Sequence, residues 1–262
     1  MSTTYITAPQ FHNTSFRGWN RNRLLRRRIK GTPAPLDIKE YRLDPAKWTN
    51  GLGPLKKRRG SRHAGVDVGL TIDAILGQNK DELICLVCRQ FIEDCDAEND
   101  GEDDDCYLIW RRGPARRLYK SIEIRDTGIS MGNGAYVKPG CRIEKWKWLG
   151  EYLGELLPLG TANIHVPGLY TFEIAGIARV CAQTHGNLTR FFNHSCDNNV
   201  EVRVECVGGR QIVAFQAKRD IEENEQIFID YGPDYFRDTG LRCVCGSVAC
   251  RYKGAAGRKR KR

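Results

Sequence analysis

Short runs rich in β-branched and aromatic residues recur between residues 117 and 217, and they limit the possible folds more than any other feature of the sequence. The runs are RLYKSIEI (117–124), LYTFEIA (169–175), IARVCAQ (177–183), VEVRVECV (200–207) and RQIVAFQA (210–217). Turns containing Gly or Asn separate them, and the junction VGGRQI predicts a tight hairpin. Because long amphipathic patterns are scarce here, we predict a mostly β (α+β) fold of short strands in small sheets.

Residues 1–116 differ in composition, and we predict a partly disordered N-terminal region there, basic first and then acidic. Residues 1–80 are rich in Arg, Gly and Pro, and AGVDVGLTIDAILG (64–77) predicts one helix. Residues 81–92 are apolar enough to fold. Residues 93–105 carry nine acidic side chains and no Lys or Arg, which predicts a mobile loop.

The formal net charge of +10 is spread unevenly along the chain. Basic clusters lie at RNRLLRRRIK (21–30), LKKRRGSRH (55–63) and GRKRKR (257–262). Such clusters are typical of nuclear targeting signals and of contacts with nucleic-acid phosphates, although a solvated tail explains each of them equally well. No apolar run approaches the roughly 18 to 20 residues that cross a bilayer, and MSTTYITAPQ lacks the pattern of a secretory signal. We therefore expect an intracellular protein without a membrane partner.

Eleven cysteines in a chain expected to be intracellular favour thiols and metal ligands over disulfides. The segment CVCGSVAC forms a C-x-C-x4-C array of Cys243, Cys245 and Cys250. This array supplies three of the four ligands that structural zinc requires, so the fourth has to come from elsewhere. A second group leaves two interpretations open, a further metal site or buried and free thiols. Its members are Cys85, Cys88, Cys95 and Cys106.

The segment RFFNHSC (190–196) concentrates an amide, an imidazole and a thiol in seven residues. Three interpretations of His194 and Cys196 are open. Cys196 is a nucleophile with His194 as its base, both residues are metal ligands, or they are neighbours on a strand. A cysteine hydrolase is the weakest of these interpretations. Residues i and i+2 of a strand share a face but run parallel, so they do not readily align as base and nucleophile.

Five motifs occur in an order that resembles SET-domain protein lysine methyltransferases with a cysteine-rich post-SET segment. They are GNGAYVKPG (132–140), GEYLGEL (150–156), GNLTRFFNHSCDNNV (186–200), ENEQIFIDYG (223–232) and CVCGSVACR (243–251). The first resembles the family's Gly-x-Gly cofactor loop and the second its E-Y-x-G-E strand. The resemblance implies a SET domain with a threaded pseudoknot over 117–232, a post-SET zinc segment over 239–255 and a basic tail over 256–262.

The resemblance also implies a role for individual residues. The cofactor would be S-adenosylmethionine, Tyr231 would carry the catalytic hydroxyl, and Tyr152 and Tyr170 would line the lysine channel. The cofactor-binding residues that it implies are Gly132, Asn133, Gly134, Arg190, Asn193, His194 and Tyr231. The zinc ligands that it implies are Cys196, Cys243, Cys245 and Cys250.

The chain departs from the family pattern in four respects, one of which is a longer run between Gly140 and Glu151 that includes Trp146 and Trp148. Ile229 stands where the family usually has Phe or Tyr, at a position that helps to set how many methyl groups are added. Asp197-Asn198-Asn199 replaces the usual Asp-Pro-Asn. The absence of a nine-cysteine pre-SET cluster argues against the subgroup that acts on lysine 9 of histone H3.

The favoured function is methylation of a lysine in a histone tail by a nuclear, chromatin-associated enzyme that also contacts nucleosomal DNA through its basic clusters. One alternative keeps the chemistry but takes a non-histone protein as substrate. The other is a chromatin-binding module without catalytic activity. The acidic residues 93–105 either attract a basic substrate tail or form a solvated loop.

Overall fold

The computed structural model describes residues 36–44, 47–48, 71–78, 83–95, 106–127, 131–160, 170–174 and 176–252. The basic clusters at 21–30, 55–63 and 257–262 lie outside these ranges, as does most of the acidic run 93–105. Within the described ranges, short strands dominate and helices are few, which confirms the mostly β prediction. None of the described helices is both long and apolar enough to cross a membrane.

The elements follow one another in short steps. The strands are β1 (Leu36–Asp37), β2 (Arg42–Leu43), β3 (Ile122–Asp126), β4 (Asn133–Val137), β5 (Trp148–Glu151), β6 (Glu155–Leu157), β7 (Thr171–Ile174), β8 (Ala178–Cys181), β9 (His185–Gly186), β10 (Asn193–His194), β11 (Val200–Val207), β12 (Arg210–Ala217) and β13 (Phe228–Ile229). The α-helices are α1 (Ile72–Leu76), α2 (Ile92–Cys95), α3 (Cys106–Trp110), α4 (Arg116–Ser121) and α5 (Gly232–Thr239). A π-helical turn spans Arg111–Ala115, and a 3₁₀ turn spans Leu188–Phe191.

The strands pair into small sheets. One sheet has the order β2-β6-β8-β7, another has the order β11-β12-β5, and β3 pairs with β4. The hairpin predicted at VGGRQI joins β11 to β12 through Gly208 and Gly209, whose φ angles of 52° and 74° suit a tight turn. β10 pairs in parallel with β13, which brings the two segments of the expected pseudoknot side by side.

The prediction of one strand over residues 117–124 is wrong. α4 occupies Arg116–Ser121, and β3 begins only at Ile122. Buried positions recur at every fourth residue, at Pro114, Leu118 and Ile122. This spacing keeps one face of a helix against the core, so the helical turns after Trp110 continue through most of the run.

The prediction that GEYLGEL forms one strand is wrong as well, because the chain leaves β5 after Glu151 and enters β6 at Glu155. Gly154 lies at this break. A Cβ atom there would lie 2.6 Å from the carbonyl carbon of Cys181, so the close approach of β8 requires glycine. The break separates Tyr152 from both strands and leaves it between the two sheets.

The hydrophobic core extends beyond the predicted β half of the chain. Tyr41, Ile75 and Leu76 of the N-terminal region are buried in the same core as Phe192 and Phe215. Burying each of the large apolar side chains stabilises the fold by about 1.5–3 kcal/mol. The described parts of the N-terminal region therefore support the sheets that carry the site.

Candidate active site and metal centre

One cavity gathers most of the predicted site residues. It has a volume of about 520 Å³ and lies beside β7, β10 and α5. Its wall includes the three predicted tyrosines, Tyr152, Tyr170 and Tyr231. The other predicted site residues in its wall are Asn133, Arg190, Asn193 and His194. Five separate segments therefore meet around one space.

Tyr231 is held at both its backbone and its side chain. Its hydroxyl donates a hydrogen bond to the carbonyl oxygen of Phe192 at 2.9 Å. Its ring packs edge-on against Tyr235, with 4.6 Å between the ring centroids. Burial raises the pKa of Tyr231 well above its ordinary value, so the phenol stays protonated at neutral pH. The group in the cavity is a fixed neutral hydroxyl and not a base.

Tyr152 and Tyr170 reach the cavity in different ways. Tyr152 is buried, and its ring packs edge-on against Phe172 at a centroid distance of 4.7 Å. Tyr170 has a φ angle of 56°, an unfavourable conformation for a residue with a side chain. The guanidinium of Arg190 lies 4.3 Å from the centroid of the Tyr170 ring, which holds this ring in place. Burial raises the pKa of both tyrosines, so both remain neutral.

Arg190 was predicted to bind the cofactor, and the structure shows contacts to the protein itself. It is buried, and its Nε donates a hydrogen bond to the carbonyl oxygen of Ala182 at 2.9 Å. Together with the stacking on Tyr170, this contact makes Arg190 a support for the cavity wall. Its positive charge nevertheless lies beside the cavity.

The predicted Gly-x-Gly segment lies along Asn193. The Nδ2 group of Asn193 donates to the carbonyl oxygen of Asn133 at 3.0 Å. A Cβ atom at Gly134 would lie 3.0 Å from that Nδ2 atom and 2.2 Å from Nε2 of Gln226. Gly134 therefore permits β4 to pack directly against β10. Gly132, with a φ angle of 71°, precedes the strand, and the predicted loop is largely strand β4.

His194 uses both ring nitrogens within the protein. Its Nδ1 accepts the backbone N–H of Tyr231 at 3.1 Å, and its Nε2 lies 3.3 Å from Sγ of Cys196. Because the backbone N–H can only donate, Nδ1 has to be unprotonated and Nε2 carries the hydrogen. Burial lowers the pKa of His194 to about 4, against the opposing effect of Asp230, so the ring is neutral. A side-chain contact of His194 with a cofactor is thus disfavoured.

The four predicted zinc ligands come together beside this histidine. Sγ of Cys196 lies 3.9 Å from Sγ of Cys243 and 3.9 Å from Sγ of Cys250. The ligand atoms of His194, Cys196, Cys243 and Cys245 lie within 4.8 Å of one another. A tetrahedral zinc ion with Zn–S bonds of about 2.3 Å separates its sulfurs by about 3.8 Å. The observed separations fit a four-thiolate zinc site.

Backbone hydrogen bonds favour the thiolate form of Cys245, whereas burial raises the pKa of the Cys196 and Cys243 thiols. The N–H of Arg251 donates to Sγ of Cys196 at 3.2 Å. Burial raises the pKa of the Cys245 thiol, but hydrogen bonds from the backbone of Cys196 and Ser247 outweigh it and bring the pKa to about 7. Thiolate is the form that binds zinc. Four cysteine sulfurs are a donor set that structural zinc prefers, so the residue types fit the metal as the separations do.

The segment after α5 covers the cavity and is anchored at its far end. Residues 241–244 are part of the cavity wall. Tyr252 stacks on Phe236 at a centroid distance of 4.5 Å, and Arg251 forms an ion pair of 2.7 Å with Asp230. Metal binding by the cysteines would therefore hold this segment over the cavity.

The sequence reasoning missed a buried carboxylate beneath Tyr152. Glu151 is buried and accepts hydrogen bonds from the hydroxyls of Tyr107 at 3.1 Å and Tyr41 at 3.2 Å. Burial raises the pKa of Glu151 to about 7, although both hydrogen bonds lower it. Its position beside Tyr152 in GEYLGEL is the one signal in the sequence that pointed to it.

The comparison with protein families identifies the class. The family model described as SET domain matches residues 78–232, which is more than half of the chain. The chain belongs to the SET-domain family. The match begins before residue 117, and the predicted division of the chain at that residue stays a prediction.

Three similar curated proteins are each larger than this chain. Histone-lysine N-methyltransferase EHMT1 of Homo sapiens is 31% identical over 151 residues, which cover 53% of this chain and 11% of that protein. The "Histone-lysine N-methyltransferase, H3 lysine-36 specific" of Cryptococcus neoformans is 24% identical over 83% of this chain and 28% of its own length. Histone-lysine N-methyltransferase ASHH1 of Arabidopsis thaliana is 31% identical over 41% of this chain and 24% of its own length. The chain thus spans less than a third of each of these relatives.

Proposed function

We propose that this chain is an S-adenosylmethionine-dependent protein lysine N-methyltransferase. The observation that carries the proposal is the convergence of the neutral Tyr231 hydroxyl, the rings of Tyr152 and Tyr170, and Asn193 on one cavity. Its volume of about 520 Å³ lies within the usual range of small-molecule sites, about 300–1,000 Å³. Membership of the SET-domain family supports the same reaction.

The residues around the cavity suit this cofactor. Asn133 and Asn193 place polar amides in the wall, and the residues 241–244 lie across from them as a cover. These groups would hold the cofactor through polar contacts and exclude water from it. When bound, S-adenosylmethionine supplies a methyl group on a positively charged sulfur.

The cavity also favours the reactive form of a lysine side chain. Free lysine has a pKa near ~10.4, so its amine has to lose a proton before it attacks a methyl group. The aromatic walls formed by Tyr152 and Phe172 disfavour the ammonium form by desolvation. The guanidinium of Arg190 disfavours it further through like charge.

Tyr231 would align the deprotonated amine. Its hydroxyl proton is engaged by the carbonyl oxygen of Phe192, so the lone pairs of the phenol oxygen can accept an N–H group of the amine. This contact orients the nitrogen lone pair toward the methyl group. Much of the rate enhancement then comes from positioning, without a nucleophile supplied by the protein.

The proposed substrate is a histone tail, and the proposed location is the nucleus. The three relatives named above are histone-lysine N-methyltransferases, which supports this choice. Contacts with nucleosomal DNA through the basic clusters at 21–30, 55–63 and 257–262 belong to the same proposal. The alternatives remain a non-histone substrate and a binding module without activity.

An assay with labelled S-adenosylmethionine tests the proposal on core histones, nucleosomes and a peptide array, with mass spectrometry to locate the methyl groups. We expect label on a histone lysine and strong loss of label with Tyr231→Phe. Label on array peptides alone would favour the non-histone substrate. Cofactor binding without transfer would favour the inactive module, and the absence of both would refute the proposal.

A further inference from the structure

A second group of cysteines lies outside the candidate active site. Cys85 and Cys88 lie on one tight turn, Cys95 ends α2, and Cys106 begins α3. Their four Sγ atoms lie within 4.8 Å of one another, and those of Cys88 and Cys95 are 3.5 Å apart. Residues distant in sequence thus place four sulfurs within the dimensions of a single tetrahedral metal site.

In the turn that carries Cys85 and Cys88, the backbone folds back toward the side chain of Cys85. The carbonyl oxygen of Cys85 accepts the N–H of Arg89 at 2.9 Å, and Arg89 adopts a positive φ angle of 66°. The backbone of Gly208, Cys88 and Val87 hydrogen-bonds to the Cys85 side chain. Several backbone N–H groups are thus directed at the Cys85 sulfur.

Packing alone does not account for this arrangement. Among the described residues, the apolar cluster that includes Cys85, Cys95 and Cys106 is completed by Ile92 and Cys206, with Leu83 and Val87 packed against it. Such a small cluster buries little apolar area, and Cys88 lies at the surface. A metal ion bound by all four sulfurs would supply the missing stabilisation, as in other small cysteine-rich units.

We propose that Cys85, Cys88, Cys95 and Cys106 bind a structural zinc ion. Four thiolates with a C-x-x-C pair are a ligand set that zinc prefers, and a closed set of four leaves no open position for catalysis. The site is separate from the group around Cys196, and its existence does not depend on the proposed methyltransferase activity.

The proposed zinc would fasten two parts of the fold to the core. The N–H of Leu86 donates to the carbonyl oxygen of Cys206 on β11 at 2.8 Å, which attaches the turn to the central sheet. On the other side, Cys106 leads into α3, whose Tyr107 hydroxyl reaches Glu151 at 3.1 Å. In the same helix Trp110 packs against Trp148 at a centroid distance of 5.5 Å. The zinc would therefore fix the helix that supports Glu151, next to Tyr152.

Metal analysis of the full chain tests the proposal. The first thiol group consists of Cys196, Cys243, Cys245 and Cys250. The chain with Cys243→Ser and Cys245→Ser has lost two of these four ligands, so we expect it to retain one zinc ion, bound at the second group. X-ray absorption spectroscopy should show four sulfur ligands around that ion. Adding Cys88→Ser should remove that zinc, whereas adding Cys141→Ser, a cysteine outside both groups, should leave it in place. Cys88 is the chosen ligand because it lies at the surface, where serine is best tolerated.

Two results would overturn the proposal. One is a folded Cys243→Ser and Cys245→Ser chain without zinc, with folding checked by circular dichroism. The other is a disulfide between any two of the four cysteines, found by mass spectrometry after alkylation. If the serine variants do not fold, the wild-type chain decides the question, since two zinc ions per chain with sulfur-only ligands are expected and one ion refutes the second site.

Hydrogen exchange provides a separate readout of the fastening role. Removal of the zinc from the Cys243→Ser and Cys245→Ser chain by a chelator should accelerate exchange in α3 at least tenfold. Exchange in the β3–β4 pair should change little, because among the described residues no backbone hydrogen bond joins this pair to the four cysteines. Unchanged exchange in α3 would refute the proposed role in fixing this helix.

Discussion

Nδ1 of His194 accepts the backbone N–H of Tyr231 at 3.1 Å, while Nε2 of the same ring lies 3.3 Å from Sγ of Cys196. One neutral imidazole thus connects the residue proposed to orient the substrate amine with the group proposed to bind zinc. The backbone donor at Nδ1 selects the tautomer that donates to sulfur. Metal binding and the position of Tyr231 are therefore expected to depend on each other.

Loss of a ligand at the first thiol group should affect both metal content and catalysis. We expect Cys250→Ser to lower the zinc content by about one ion per chain and to reduce turnover, because the segment over the cavity loses its anchor. Elemental analysis and a methyl-transfer assay measure the two effects, with Cys141→Ser as the control. A zinc-free preparation of the variant with full activity would contradict this coupling.

Asn193→Ala should weaken the binding of S-adenosylmethionine several-fold without unfolding the chain. The substitution removes a side chain from the cavity wall and its 3.0 Å hydrogen bond to Asn133, a loss of about 1 kcal/mol. Isothermal titration calorimetry measures the affinity, and Gln216→Ala, an amide outside the cavity, is the matched control. Equal affinity in the Asn193 variant and the wild-type chain would exclude Asn193 from the cofactor site.

Tyr231→Phe should separate catalysis from binding. The variant keeps the ring that packs against Tyr235 but loses the hydroxyl held by Phe192. We expect turnover to fall by roughly 10²-fold or more, the scale of losing one well-placed polar group in a site without water, while cofactor affinity barely changes. Tyr119→Phe makes the same change at an exposed tyrosine outside the cavity and serves as the control for single-turnover measurements. Wild-type turnover in the Tyr231 variant would disprove the proposed mechanism.

The roles predicted for the site residues stay predictions, whereas part of the local structure predicted around them is wrong. The motifs placed Tyr231, Asn193 and Cys196 in one region because these residues lie in segments whose composition is dictated by their chemistry. The strand predicted at 117–124 is wrong because Leu118 and Ile122 are four residues apart. Over so few residues, this spacing fits the period of a helix as well as the period of a strand.

Contacts between segments that are distant in the chain could not be predicted from the sequence. The hydrogen bond from Tyr107 to Glu151 joins residues 44 positions apart, and the hydrogen bond from Tyr41 to Glu151 joins residues 110 positions apart. No local pattern marks such partners, since each residue alone reads as an ordinary core or surface side chain. The same applies to Arg190, whose role in supporting Tyr170 follows only from the fold.

Glu151 should make stability depend on pH. Burial raises its folded-state pKa to about 7 from an ordinary value of 4.5, so the folded state binds the proton more tightly than the unfolded state. The stabilisation is complete below pH 4.5 and is lost as the pH rises toward and through about 7. At about 1.4 kcal/mol for each unit of pKa, the total is on the order of 3 kcal/mol.

The variant Glu151→Gln tests this dependence, because it keeps an oxygen for the hydroxyls of Tyr107 and Tyr41 but does not titrate. We expect the free energy of unfolding of the wild-type chain to fall between pH 5 and pH 8 relative to that of the variant. Urea titrations at both pH values measure the difference. Parallel stability profiles for the two chains would show that Glu151 does not carry the raised pKa.

Ile229 should control the product more than the rate. Its side chain is buried in the cavity wall, and its backbone pairs with His194 between β13 and β10, so it lies close to Tyr231 without bonding to it. Ile229→Phe fills more of the space around the amine, and we expect it to shift the products toward fewer methyl groups with less than about tenfold loss of rate. Ile229→Leu conserves the volume and should leave the product distribution unchanged.

Mass spectrometry of the methylated peptide over time measures mono-, di- and trimethyl products. A Phe variant that is slower but gives the wild-type distribution would show that this side chain does not limit the room around the amine.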